Sequence, residues 1–236
     1  MRMIAIVRKE LKEYLLKPGS ISWGFVFPVV FTFSFIVRLG SVDQVAPGMV
    51  AIASLFGTTS FVSSSIIFER RLRTIERLLL APLSYGEIVL GKILVGTIFG
   101  SIVSLTTLAL LLWFMVYPVW NWPLTLLAIL LSGFAFSALG VYISLKVRNP
   151  INVMTWLNVL RLPMIFTSSA LVSFGLFPNW FLAVGLLTPM TYAVESIRYG
   201  MLYYTDAIPP VTAFLATIAL GLLFTLLATR ALKNLY

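Results

Sequence analysis

The chain contains neither cysteine nor histidine. Without them the usual zinc ligands, the thiol nucleophile and the commonest general base are missing, which excludes a Ser-His or zinc-dependent membrane hydrolase. No disulfide can form, so cysteine usage says nothing about redox compartment. Charge is also scarce: Asp, Glu, Lys and Arg make up 11% of the 236 residues, and only 8 side chains are acidic. A soluble domain carries about 25% charged residues. Apolar side chains account for 60% of the chain. That balance describes an all-α polytopic membrane protein. Six helices of roughly 20 residues, each crossing a hydrocarbon core about 30 Å thick, consume about half of the chain and leave loops rather than a soluble catalytic domain.

Residues 1–17 lack the apolar run and cleavage site of a signal peptide. At about 100° per residue, Met3, Ile4, Val7, Leu11, Tyr14 and Leu15 share one face while Lys9, Glu10, Lys12 and Glu13 share the other. The pattern predicts an amphipathic helix lying in the membrane interface, with Arg8, Lys9, Lys12 and Glu13 among its charged positions. Apolar runs then predict six spans, at 20–37 with a bend at Pro28, 47–68, 93–117, 124–145, 151–174 and 211–229. Between the last two, residues 175–206 are cut by Pro178 and Pro189 into pieces too short to cross, which predicts outer re-entrant or interfacial helices. The chain thus reads as a single transmembrane domain over 1–236.

The net charge of +9 acquires meaning once it is sorted by side. Five basic residues precede the first span, five lie between the second and third, two follow the fourth and two sit in the tail, so 14 of 17 gather on one side. Both termini are therefore expected in the cytoplasm, and the basic composition reflects topology rather than nucleic-acid binding.

Three strings carry chemical suggestions. Gly86 to Lys92, GEIVLGK, has phosphate-loop spacing, but Ile93 stands where a magnesium-binding Ser or Thr is needed and no strand precedes it, so it is no nucleotide site. Gly96 and Gly100 form a GxxxG pair, expected to pack against another helix of the same bundle. The run Glu69 to Leu80 places Leu72, Ile75 and Leu79 on one helical face and spaces Glu69 and Arg73 at i, i+4, which predicts a short cytoplasmic docking helix. Arg161, about ten residues into the fifth span, leaves open a polar pathway with Asn158, a buried ion pair, or a snorkelling side chain. Glu195 and Arg198 form a weaker candidate pair at the outer mouth, spaced i, i+3.

The string ERRLRTIERLLLAPLSYGEIVLGKIL resembles the loop after the second span in the membrane subunits of ATP-binding-cassette exporters of the type 2 permease class. Glu69, Thr74, Glu76, Arg77, Leu78, Pro82, Leu83, Gly91 and Lys92 match, while Arg73 stands where that family has Gly and Ile75 where it has Leu. Pro178, Trp180, Pro189, Thr191, Tyr192, Glu195 and Arg198 match a second stretch, with Ser173-Phe174-Gly175 departing from its Ser-Gly pair. The resemblance implies a permease half, in a prokaryotic-type inner membrane, that dimerises, as a homodimer or a heterodimer, and binds a separate ATPase subunit. ATP and magnesium would reside on that subunit, with no cofactor in this chain. It also implies ATPase coupling through Glu69, Arg70, Leu72, Arg73, Thr74, Ile75, Glu76, Arg77, Leu79 and Pro82. Cargo is left open among drugs, lipids and lipid-linked glycans. A self-sufficient secondary transporter or channel is the alternative, but it calls for internal repeats or paired broken helices with membrane carboxylates, and no convincing repeat is evident. A lipid-modifying enzyme would need acids facing one pocket; Glu195 and Asp206 are the nearest approach, and both are expected at the outer surface.

Overall fold

The computed structural model describes Val7, Lys9, Glu10, Glu13 and residues 22–39, 42–75, 83–114 and 118–235. These are helices and their connections, with no strand among the described residues. A π-helical turn, Ser22–Val26, leads into α1 (Phe27–Leu39), followed by α2 (Ala46–Arg71), α3 (Tyr85–Leu112), α4 (Trp122–Lys146), α5 (Val153–Thr167), α6 (Asn179–Leu186), α7 (Pro189–Leu202) and α8 (Pro210–Lys233). By length and apolarity α2, α3, α4 and α8 are each able to cross a membrane, and α6 with α7, bent by 89° at their junction, make a fifth candidate if taken as one broken span.

The central post is α2, buried along nearly its whole length. Its Ala, Ser, Thr and Gly residues keep it thin, so α3 and α4 close on it at backbone distance. A Cβ on Gly100 would stand 2.1 Å from Thr58 Cγ2, and one on Gly96 would stand 2.3 Å from both Val62 Cγ1 and Ser137 Oγ. The glycine pair therefore packs within one bundle, against α2 and α4, as its spacing predicts. Apolar side chains fill what remains in two clusters, one around Met49, Phe56, Ile129 and Ile197 and the other around Phe61, Ile66, Ile88 and Leu145. The last helix, α8, lays Gly221 against the Phe134 ring of α4 and turns Leu215, Leu222 and Leu226 outward, the pattern of a lipid-facing helix.

Several boundaries differ from those expected. The third span begins at Tyr85 rather than near Ile93, because Ser84 and Glu87 close a capping box: Glu87 N donates to Ser84 Oγ at 3.2 Å and Ser84 N to Glu87 Oε2 at 2.8 Å. Lys92 thus lies inside the helix instead of marking its start. The fifth run, expected over 151–174, is helical in α5 for 15 residues only. At 1.5 Å per residue that is roughly 22 Å, short of a full crossing. The chain leaves the helix at Ser168, beyond Pro163, and the backbone carbonyl of Ser169 is claimed by Arg198. Near Pro28, which has no N–H to donate, the first run changes from π to α geometry.

The stretch 175–206 folds as α6, α7 and their connections, and its flanks meet. Ser173 Oγ and Phe174 N donate to the two carboxylate oxygens of Asp206, each at 2.6 Å.

Candidate coupling site and the buried charges of the bundle

Where α2 ends and α3 begins, four charged side chains from three segments interlock. Lys92 Nζ, on α3, lies 2.8 Å from Glu10 Oε1 and 2.6 Å from Glu69 Oε2, and also donates to Ser65 Oγ at 3.2 Å. Ser65 Oγ donates in turn to the Glu10 carboxylate. Lys9 Nζ donates to the other oxygen of Glu69 at 2.8 Å and reaches Glu13 at 3.8 Å. Glu10, Glu69 and Lys92 are buried, and two acids face two bases. Burial pushes the Glu10 carboxyl above the usual carboxylate range, with Lys92 pulling against it and the charge of Glu69 adding to the rise. Placed this way, the charges fasten the N-terminal segment to the ends of α2 and α3. The polar face expected to meet lipid headgroups instead contributes Glu10 to the protein interior, where Lys92 meets it, and holds the partly exposed Lys9 on Glu69. Glu13 alone among the described acids of that segment is exposed.

Of the expected docking helix over 69–80 the structure describes residues 69–75: the first turn belongs to α2, and the chain is helical again at Thr74 and Ile75. Glu69, Arg70 and Arg71 form the last turn of α2, and a turn at Leu72 and Arg73 breaks the helix. Arg73 takes a left-handed φ of 53° at the position where the resembling family carries Gly. The i, i+4 pair of Glu69 with Arg73 therefore does not form, and Glu69 turns to Lys9 and Lys92. Arg70 Nη1 donates to Ser144 O at 2.8 Å and Val147 O at 2.7 Å, and its Nη2 to Arg148 O at 2.7 Å, capping the negative end of α4. Leu72 is exposed while Ile75 is buried in the bundle beside Ile88, so the two do not share one docking face. Thr74 Oγ1 donates to Glu69 O at 3.4 Å. Arg8, Lys12, Glu76, Arg77, Leu79 and Pro82 lie outside the described residues.

Arg161 is buried on α5 and aimed at α2. Its Nε and Nη2 donate to Thr59 Oγ1 at 2.9 and 2.6 Å, its Nη2 to Ser60 Oγ at 3.1 Å and its Nη1 to Asn158 Oδ1 at 3.2 Å. The guanidinium carbon sits 4.8 Å from the centre of the Phe56 ring. No salt bridge to a carboxylate forms among the described residues, which sets aside the ion-pair reading. On the same helix Asn158 lines an open groove of about 520 Å³ together with Thr155, Val159 and Leu162.

Glu195 and Arg198 do pair, but inside the protein rather than at an outer surface. Ser169 Oγ donates to Glu195 Oε1 at 2.7 Å, Asp206 N to Glu195 Oε2 at 2.6 Å, and Arg198 Nη2 to Ser169 O at 2.5 Å. The pair thus ties the end of α5, the body of α7 and the loop before α8 into one knot. Sequence reasoning left out Glu10, Thr59, Ser60 and Ser169, since contacts between residues 26 to 102 positions apart carry no local spacing signal. The one available hint was Lys92, already part of the matching motif.

A bundle of long apolar helices, with its charges buried in compensated clusters and basic side chains gathered at one end, is the build of a membrane permease. The pattern of the ABC-2 type transporter family matches residues 1–202, and the chain belongs to that family. It is 25% identical over 170 residues to the inner membrane transport permease YadH of Escherichia coli (strain K12), covering 72% of this chain and 66% of that protein. It is 30% identical over 162 residues to Nodulation protein J of Sinorhizobium fredii (strain NBRC 101917 / NGR234), covering 66% of this chain and 60% of that protein. The chain thus spans just under two thirds of the length of these relatives.

Proposed function

We propose that this chain is the transmembrane half of an ATP-driven exporter, dimerising to form the pathway and driven by a separate ATPase subunit that carries ATP and magnesium. The observation that carries this reading, beyond family membership, is the charge knot of Lys9, Glu10, Glu69 and Lys92. It makes the N-terminal segment, the end of α2 and the start of α3 one rigid body. A partner that pushes on the loop after α2 moves all three together, because a buried, compensated ion cluster resists shear. Leu72, exposed at the end of α2, offers the contact. Homodimer and heterodimer both accommodate this scheme, as do drug, lipid and lipid-linked glycan cargoes.

The same reading has six spans with both termini in the cytoplasm, taking the π turn with α1, and α5, as short spans. Arg70, Arg71, Lys146, Arg148, Arg230 and Lys233 lie at one end of the bundle, which supports a cytoplasmic assignment for that end. The Asp206 bonds to Ser173 and Phe174 support a re-entrant 175–206 segment, since a stretch with joined ends returns to the side it left. The inner membrane named for the Escherichia coli relative is carried over as the location. Asn158, which lines the groove on α5, and Arg161, buried behind it against α2, form the polar element of the pathway in this reading, suited to an anionic headgroup.

Coupling is tested by co-purifying the chain with its ATPase and measuring export in proteoliposomes of matched protein content. Leu72→Asp and Glu76→Lys should each lower ATPase retention or uncouple hydrolysis from export. Wild-type retention and export in both variants would remove the loop from the mechanism. The pathway role is tested by Arg161→Lys, which should reduce substrate-stimulated hydrolysis several-fold with assembly intact.

A further inference from the structure

Where α4 ends, an open groove of about 370 Å³ runs between it and α5, and none of the preceding roles uses it. It shares no lining residue with the groove that holds Asn158. Lys146 and Arg148 line its loop end; both are exposed, and among the described residues neither forms an ion pair. No acid is among the described residues that line it. Tyr142 lies one turn back from Lys146 along α4, and Trp156 and Leu160 follow one turn apart along α5. The Tyr142 ring stacks on Phe224 of α8, 6.5 Å centre to centre, which braces that wall. The connection between the two helices is held as well. Val147 N donates to Ile143 O at 3.0 Å, and Asn149 Oδ1 accepts from Ile151 N at 3.0 Å. The carbonyls at a helix C-terminus ordinarily repel an anion. Here Arg70 occupies those of Ser144, Val147 and Arg148, leaving the charges of Lys146 and Arg148 for a ligand.

Two cations at the end of an apolar helix, then aromatic rings, then an aliphatic side chain follow the order of polarity of a phospholipid from its phosphate to its acyl chain. We propose that this groove binds one anionic phospholipid, its phosphate between Lys146 and Arg148 and an acyl chain passing Trp156 toward Leu160. A free phosphate anion would use the two cations and leave the apolar walls uncovered. A positive-inside loop beside a belt Trp also places these residue types at a helix end, but it requires no lipid bound in fixed number.

The test uses the full chain in nanodiscs of phosphatidylcholine mixed with phosphatidylglycerol, released into neutral detergent and weighed by native mass spectrometry. Wild type is expected to keep one phosphatidylglycerol per chain in preference to phosphatidylcholine. Lys146→Gln combined with Arg148→Gln should keep about tenfold less, while the charge-preserving Lys146→Arg with Arg148→Lys should keep it. Arg230→Gln with Lys233→Gln removes two exposed charges at the end of α8, neither of which lines the groove, and should keep it too. A second measurement compares each variant with itself. Adding phosphatidylglycerol to phosphatidylcholine discs should raise the thermal unfolding midpoint of wild type and of the α8 variant, but not that of the Lys146, Arg148 glutamine variant. Equal retention of the two lipids, equal loss in both glutamine variants, or no retained lipid, as when a second copy of the chain covers the groove, would overturn the site. Displacement of the lipid by soluble glycerol 3-phosphate would assign the two cations to a free phosphate anion and overturn it as well. No ATPase takes part, so failure here leaves the exporter reading standing, and loss of coupling leaves this site standing.

Discussion

Lys92 remains inside an apolar bundle because two carboxylates reach it from distant segments, and the value of each member depends on the others. Truncating Lys92 to Met leaves Glu10 and Glu69 buried with only Lys9 to balance them. Breaking a buried pair in this way costs about 3–5 kcal/mol. Lys92→Met is therefore expected to lower the thermal unfolding midpoint in detergent strongly. Adding Glu10→Gln, which removes the orphaned charge, should recover part of the loss; a purely additive double variant would show that the charges are not coupled. Arg161 is held differently, by hydroxyls and an aromatic face. Thr59→Val should cost about 1–3 kcal/mol by removing the acceptor of a charged donor, and combined with Arg161→Met it should cost clearly less than the two changes summed. Full additivity would mean that the Thr59 bond contributes nothing.

Helix ends are where local chemistry decided the outcome. The Ser84 to Glu87 capping box starts α3 eight residues before the expected point at Ile93. The S-x-x-E pattern is present in the sequence, but the charge on Lys92 outweighed it as a boundary signal. Ser84→Ala should cost about 1 kcal/mol, readable as a lower midpoint. At the other end of that loop, Arg73 occupies left-handed backbone where its Cβ is strained. Arg73→Val should destabilise by about 1 kcal/mol, since a β-branched side chain tolerates positive φ less well, while Arg73→Gly should be neutral or slightly stabilising. Equal midpoints for Val and Gly would show that the turn adapts to either residue. The amphipathic periodicity of Glu69 to Leu80 was real as a pattern, but one left-handed residue divided it, sending Ile75 inward and leaving Leu72 exposed.

For the whole molecule, the topology proposed from charge distribution has a direct check. A reporter active only in the cytoplasm should work when fused after Leu235 and fail when inserted between Tyr204 and Thr205. Activity between Tyr204 and Thr205 with silence after Leu235 would mean that the 175–206 stretch crosses and that the count of six is wrong. Both positions lie outside the helices; because the second adjoins Asp206, which bonds Ser173, Phe174 and Glu195, that insertion is first checked for normal assembly.

Composition alone determined that this chain belongs in a membrane, because too few charges and too many apolar side chains leave no other solvent for it. Hydropathy located the long helices, glycine spacing foretold the close approach of α3 to its neighbours, and the loop string pointed to the permease family that the family pattern then matched. The tertiary structure decided the fate of the charges. Glu10 turned inward to Lys92, Lys9 bridged to Glu69, Arg70 capped α4, and Glu195 and Arg198 became an interior clasp. Helical periodicity is set by neighbours a few residues apart and can be read along the chain. In an apolar interior each charge must find its counterpart or an acceptor, and here most of those partners lie tens of residues away.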